Sequence, residues 1–168
     1  MSKLIMMCGI PGSGKSTWLH EHTPNFPAAS SIISRDDIRF SMLKDGEDYF
    51  AHEKEVWTQF IEDIVISLAI NEETYVDATH INERSRAKLL RALNKNLYGV
   101  EVQAVFFNTP LDIALARNEN RSGLAYVPAS AIITMHSNLT EPTFVEGFSK
   151  IYIVENNKLY QKVELQDD

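Results

Sequence analysis

The stretch that most restricts this chain is Gly9-Ile10-Pro11-Gly12-Ser13-Gly14-Lys15-Ser16-Thr17, directly after the apolar run Leu4-Ile5-Met6-Met7-Cys8. It fits the phosphate-binding loop pattern G-x-x-x-x-G-K-[ST], with Gly9, Gly14, Lys15 and Ser16 at the fixed positions. Glycines let the backbone turn so tightly that its N–H groups point at phosphate oxygens with no side chain between. Gly12, Ser13 and Thr17 belong to the same expected cradle. Lys15 adds positive charge near the β- and γ-phosphates, and the Ser16 hydroxyl can ligate Mg²⁺. A helix expected from Lys15 adds the positive end of its dipole. The bland alternative is a glycine-rich turn that happens to contain Lys-Ser. The strand before it and the helical Thr17-Trp18-Leu19 after it supply the context that the motif requires, and a nucleoside triphosphate site follows.

At 168 residues the chain reads as a single domain over 1–168, large enough for a sizeable core. No apolar run approaches the ~20 residues of a membrane helix. Met1-Ser2-Lys3 leads straight into the first strand, with no room for a signal peptide. Cys8 stands alone in that strand and reads as a buried small residue in a reducing compartment, so a cytoplasmic setting is expected. The net charge of −7 argues against a broad basic footprint on duplex nucleic acid, though not against a narrow basic pocket.

Strands and helices alternate along the whole length, the pattern of an α/β domain with a mainly parallel sheet. Strands are expected over Lys3–Cys8, Ser31–Ser34, Thr74–Asp77, Val100–Phe107 and Ile151–Val154, with Asn156-Asn157 turning into a last strand, Leu159–Val163, before an acidic tail. Helices are expected over Lys15–His22, from Arg35, and over Ala51–Ile70, where Trp57, Phe60, Ile61, Ile64, Val65 and Leu68 form one apolar face. Asn82 should cap a basic amphipathic helix that turns Leu89, Leu90, Leu93 and Leu97 inward and closes at Gly99. Thr109-Pro110-Leu111-Asp112 marks another start, with threonine as cap and proline at the first helical position. That helix should reach Asn118. The polar stretch 119–126 then leads to a helix near Val127-Pro128 that carries Ile132, Ile133, Met135, His136 and Leu139.

Three constellations could carry chemistry. In Ser34-Arg35-Asp36-Asp37-Ile38-Arg39, Asp36 should face the crevice beyond the carboxyl ends of the strands, with Arg39 one turn on. A carboxylate there can take the proton of an acceptor hydroxyl, and an arginine can hold a neighbouring phosphate in a bidentate fork. Spacing alone equally allows Asp36 to be a helix cap and Arg39 a solvated charge. Asp77, at the end of the third strand, can hold the Mg²⁺ shell or merely cap the turn Asp77-Ala78-Thr79. Thr79, His80 and Asn82 can line the acceptor site, while His80 alone could be a satisfied polar residue. Arg117 and Arg121, spaced i, i+4, can close over a triphosphate from a lid at about 117–128, or simply favour a helix end. The histidines are scattered, so a structural zinc site is not expected.

The phosphate loop with Trp18, the Arg35-Asp36-Asp37-Ile38-Arg39 block, Asp77-Ala78-Thr79 and Arg117-Asn118-Glu119-Asn120-Arg121 together resemble the phage-type polynucleotide 5′-hydroxyl kinases, in order and spacing from residue 3 to about 154. The resemblance implies a three-layer P-loop kinase fold: a mainly parallel five-stranded sheet, helices on both faces and a short helical lid. It implies ATP and Mg²⁺ as cofactors and transfer of the γ-phosphate to the 5′-hydroxyl end of DNA or RNA. Within it Asp36 is the general base, Arg39 contacts the acceptor's phosphate, Lys15 and Ser16 serve ATP and Mg²⁺, and Arg121 is the lid arginine. His80 stands where the family usually has asparagine. The Asp-x-Asp-Gly-Thr phosphatase motif is absent from the sequence, so no 3′-phosphatase activity is expected.

Two other functions compete. Related P-loop kinases phosphorylate small hydroxyl compounds, and the −7 charge leans toward such an acceptor, whereas Arg39 and the basic helix Arg84–Arg91 lean toward a polyanion. A non-catalytic nucleotide switch would leave Asp36 with no acceptor to serve.

Overall fold

The computed structural model describes residues 1–163, so the acidic tail expected at the end lies outside the described residues. Its centre is β1 (Lys3–Cys8), whose last five residues are all buried. Strands covered on both faces read as continuous apolar runs, which is why Leu4–Cys8 shows no alternation. Side chains nonetheless leave a strand on alternate sides. Leu4, Met6 and Cys8 enter the core on one face with Phe60, Ile64, Leu89, Leu93, Val76 and Ile151. Ile5 and Met7 enter the other with Leu19, Tyr75, Val105 and Phe107.

β2 (Ser30–Ser34), β3 (Glu73–Asp77), β4 (Glu101–Phe107) and β5 (Lys150–Glu155) join β1 in parallel, in the order β2-β3-β1-β4-β5. A sixth strand, β6 (Lys158–Gln161), extends the expected five by pairing antiparallel with β5. Its hairpin turns through Asn156 and Asn157 at φ 50° and 59°, a double left-handed turn that asparagine tolerates. The mostly parallel α/β fold stands, with one strand more than the five-stranded sheet that the resemblance implies; it is the last strand expected after Asn156-Asn157, at Lys158–Gln161 rather than Leu159–Val163.

Helices α3 (Glu53–Ile70) and α4 (Glu83–Leu93) cover one face, and α1 (Lys15–His22) covers the other. At eight residues α1 is too short to persist alone, so packing must hold it. Leu19 is buried in the sheet, and Trp18 meets Phe107 edge-on and stacks on His22. α2 (Arg35–Met42) packs on α3, while α5 (Leu111–Glu119) and α6 (Ala129–Ser137) enclose a small core of Ile10, Ala114 and Ile132 behind the loop.

Some boundaries differ from expectation. α3 starts two residues later than Ala51, and α4 ends at Leu93, leaving Leu97 in the connection. Gly99 is left-handed at φ 73° but turns that connection into β4 rather than capping the helix. Pro110 takes the cap position of α5, because the Thr109 hydroxyl donates elsewhere, to the Ser13 carbonyl at 2.9 Å.

Candidate active site

Register sets the geometry. Met7 of β1 and Ser34 of β2 both pair with Asp77 of β3, so three strand ends share one row. The phosphate loop leaves from the first, α2 from the second and the 78–82 turn from the third. Ligands of such sheets lie beyond the strands' carboxyl ends. The Gly9 N–H donates to the Thr79 carbonyl at 2.8 Å, joining the loop's start to that turn.

The loop is built around close approach. Gly12 has φ +78°, and a Cβ there would lie 2.3 Å from the Ala114 carbonyl oxygen. A Cβ on Gly9 would meet the Ser13 hydroxyl at 2.7 Å, and Gly14 starts α1 at φ +99°. Lys15 Nζ donates to the Gly9 and Ile10 carbonyls at 2.8 and 2.9 Å. Burial pulls its pKa down to about 8; Asp77 and Asp36 oppose this, and the Arg121 charge adds to it. Ser16 and Thr17 are exposed, and the Ser16 hydroxyl donates to Asp77 Oδ2 at 2.8 Å. Burial holds the Asp77 carboxyl above its ordinary value, against the pull of Lys15 and Ser16 and with the help of Asp36 and Asp37.

A hydroxyl and a carboxylate in contact beside a buried lysine form a hard-oxygen pair of the kind that shares Mg²⁺ with substrate phosphates. No cluster of three or more histidine, cysteine or acidic side chains forms a metal cage among the described residues. The glycine cradle and this donor set therefore suit a nucleotide with its metal.

On the other side of the crevice, the cap of α2 is Ser34, which accepts from the Asp37 N–H at 3.2 Å. Asp36 is thus free of capping, and its side chain is 61% exposed. Its Oδ1 accepts from Arg39 and from the Tyr49 hydroxyl, the latter at 3.0 Å. Arg39 is not the solvated charge that spacing allowed. It is 5% exposed, donates to Glu53 Oε2 at 2.9 Å, and lies over the Tyr49 ring at 4.6 Å. Arg35 also bonds Glu53 and lies over Trp57. Tyr49 and Glu53 escaped the sequence reading. The only available signal for Glu53 is an acid in the first turn of a helix, and Tyr49 sits unmarked in a charged loop.

The remaining predicted residues divide. Arg117 reaches the back of the phosphate loop, its Nη1 donating to the Gly12 and Ser13 carbonyls at 3.5 and 3.4 Å. Arg121 is exposed on the segment between α5 and α6, close enough to lower the Lys15 pKa. Thr79 meets the loop through its carbonyl. His80 is buried at φ 41°, and its Nδ1–H donates to the Met7 carbonyl at 2.9 Å, so it is the satisfied polar residue rather than a base. The basic helix presents less charge than its sequence suggests. Arg86 is 1% exposed and chelated by Glu146 at 2.7 and 2.9 Å, while donating to the Thr140 carbonyl.

Among solved structures, a chain of the Pnkp1/Rnl/Hen1 RNA repair complex superposes at TM-score 0.69 with 22% identity, over 82% of this chain and 44% of its own. This chain thus spans less than half the length of that relative. Chaetomium thermophilum Kti12, solved with ADP-AlF3, gives 0.65 at 16% identity over 92% of this chain and 89% of its own. A gluconokinase from Sinorhizobium meliloti 1021 gives 0.53 at 20% identity over 90% and 81%. These likenesses show that the mostly parallel α/β fold is shared with them. A family model described as an AAA domain matches residues 4–142, from β1 through α6, and the chain belongs to that family.

Proposed function

We propose that this chain is an ATP-dependent kinase that transfers the γ-phosphate to a hydroxyl acceptor, the 5′-hydroxyl end of DNA or RNA. One observation carries the reading. Asp36 is relieved of capping by Ser34 and stands in the first turn of α2, which leaves β2 in the same row of strand ends as Asp77 and the start of the phosphate loop. This supports a base and a phosphate cradle sharing one crevice, which in-line transfer to an alcohol requires.

In this reading Gly9, Gly12, Ser13, Gly14, Lys15, Ser16 and Thr17 receive the triphosphate, and Ser16 with Asp77 holds Mg²⁺. Arg117 and Arg121 neutralise charge on the transferring phosphoryl. Asp36 accepts the acceptor's proton, while Arg39 and Thr79 line the acceptor side. The phage-type resemblance and the RNA repair complex among the structural neighbours support a nucleic-acid end.

A second reading, a small hydroxyl metabolite, has its own observation. Asp36, Tyr49 and Glu53 already engage Arg39, so an acceptor phosphate must compete for it, and the sequence carries a net charge of −7. The gluconokinase neighbour is of that kind by its name.

The test is transfer of labelled γ-phosphate from ATP to 5′-hydroxyl oligonucleotides and, in parallel, to small polyols and nucleosides. Label on oligonucleotides supports the first reading, and label on small compounds alone supports the second. Release to water only would leave a nucleotide switch. Asp36→Asn should lower transfer roughly 10²–10⁴-fold with ATP binding intact. Unchanged transfer would remove Asp36 from the base role.

A further inference from the structure

We infer that Asn118 is a positioning residue: its buried side chain ties together both ends of the segment carrying Arg121 and fixes that segment to the back of the phosphate loop. The inference rests on the proposed lid role of Arg121.

Asn118 lies near the end of α5 and is 2% exposed. Its Nδ2 donates to the Val127 carbonyl at 2.7 Å, and its Oδ1 accepts from the Val127 N–H at 3.1 Å. One amide thus pairs with both backbone groups of a single residue, as a neighbouring strand would. Every residue from 119 to 126 between the two ends is exposed, Leu124 and Tyr126 included at 48% each. The segment's own backbone contacts are local, Arg121 N–H to the Asn118 carbonyl at 3.0 Å and Tyr126 N–H to the Gly123 carbonyl at 3.3 Å. None of residues 119–126 is buried in a core; the far end is held by the Asn118 amide together with the packing of Val127 against the core of Ile10, Ala114 and Ile132.

α5 itself is pressed against the phosphate loop along its length. Thr109, just before it, donates to the Ser13 carbonyl, the Ala114 carbonyl lies against Gly12, and Arg117 reaches the Gly12 and Ser13 carbonyls. The helix is therefore a strut between the cradle and Asn118. With both ends of the segment tied to the strut, Arg121 samples a small volume over the loop. With one end free, the loop ensemble widens and the guanidinium spends less time near the phosphates.

A merely structural Asn118 would change stability alone, so the test must separate the two. Transfer kinetics are measured for the wild type, Asn118→Ala, Arg121→Ala and the double variant, and tryptic cleavage after Arg121 is followed by mass spectrometry in the wild type and Asn118→Ala. Asn118→Ala should lower kcat/KM for ATP roughly 10- to 10²-fold. The double variant should be no worse than Arg121→Ala, since a residue acting through another adds nothing once that one is gone. Tryptic cleavage after Arg121 should speed up severalfold at temperatures below the melting point. If Asn118→Ala fails to fold, Asn118→Asp takes its place. It keeps the acceptor for the Val127 N–H, loses the donor to the Val127 carbonyl, and should show the same pattern at smaller size.

Multiplicative losses in the double variant, or cleavage unchanged from the wild type, would overturn the inference. Wild-type transfer by Arg121→Ala would instead overturn the lid role and the kinetic half of the inference. The cleavage rate would then decide the tether by itself.

Discussion

The proposed donor and acceptor sides of the crevice are held by different parts of the chain. Around the phosphate loop the main chain does the holding: glycines in left-handed turns, carbonyls that receive Lys15, and a helix backbone pressed against Gly12. Around Asp36 the holders are side chains drawn from three elements, with Arg35 and Arg39 from α2, Tyr49 from the loop and Glu53 from α3. A site built from backbone has almost no alternative arrangement. One built from long charged side chains can re-pair when a ligand brings a new partner. The phosphate-loop side is therefore fixed and the Asp36 side adjustable, which would suit the proposed nucleotide of constant shape and a proposed acceptor that displaces existing contacts.

Gly12→Ala attacks the fixed side where it is tightest. Left-handed φ in a residue with a Cβ costs about 1–2 kcal/mol, and overpacking against backbone adds about 1–3 kcal/mol. The methyl would meet the Ala114 carbonyl at 2.3 Å, so neither neighbour has a flexible end to swing away. The expected loss is roughly 2–5 kcal/mol of unfolding free energy in urea titration, with nucleotide binding lost. A variant of near-native midpoint that binds nucleotide would show that the donor side adjusts as readily as the acceptor side.

The same division explains what the sequence discloses. The loop, its strand and its helix are contiguous, and each residue type answers a local demand, so Gly9 to Thr17 can be read straight from the chain. Asp36 and Arg39 are visible by position, but their state is not. Whether Arg39 is solvated depends on Glu53 and Tyr49, fourteen and ten positions away, and no periodicity links them. The Asn156-Asn157 turn and the strand after it are legible as well, but that strand is Lys158–Gln161 rather than Leu159–Val163, because all of its residues are exposed and no buried apolar run fixes its ends. Arg86, by contrast, misleads. Its helix looks like a basic surface, yet its partner Glu146 comes from sixty residues further on and draws it into the interior.

The seam between the two sides offers a pH test. Burial pushes the His80 imidazole down to about 4, against the help of its bond to the Met7 carbonyl, and the Arg35, Lys15 and Arg86 charges push the same way. The folded pKa lies below the unfolded value of 6.5, so the unfolded chain binds more protons between those limits. Stability must then fall as pH drops from 6.5 toward 4, with a slope of at most about 1.4 kcal/mol per pH unit from this group. His80→Asn keeps a residue tolerant of left-handed backbone and removes the titration. Urea midpoints at pH 7, 6 and 5 should diverge between the two proteins, with the wild type losing more. Parallel curves would mean that the imidazole is accessible to protons in the folded protein, and that the seam is as loose as the acceptor side.

Gly46→Ala isolates what Gly12→Ala combines. Gly46 lies in the loop carrying Tyr49 and has φ +81°, nearly the angle of Gly12, yet a Cβ there would meet nothing within 4 Å. Only the conformational strain remains, about 1–2 kcal/mol. The stiffer unfolded chain gives back about 0.4–1 kcal/mol. The net loss should be roughly 1 kcal/mol or less in the same urea titration, with nucleotide affinity unchanged because the loop touches only Asp36 and Arg39 of the acceptor cluster. Two glycines of almost equal φ would then differ severalfold in effect, and the difference would measure the close approach alone. If Gly46→Ala proved as damaging as Gly12→Ala, strain rather than packing would set both losses, and the contrast between a fixed and an adjustable side would lose its physical basis.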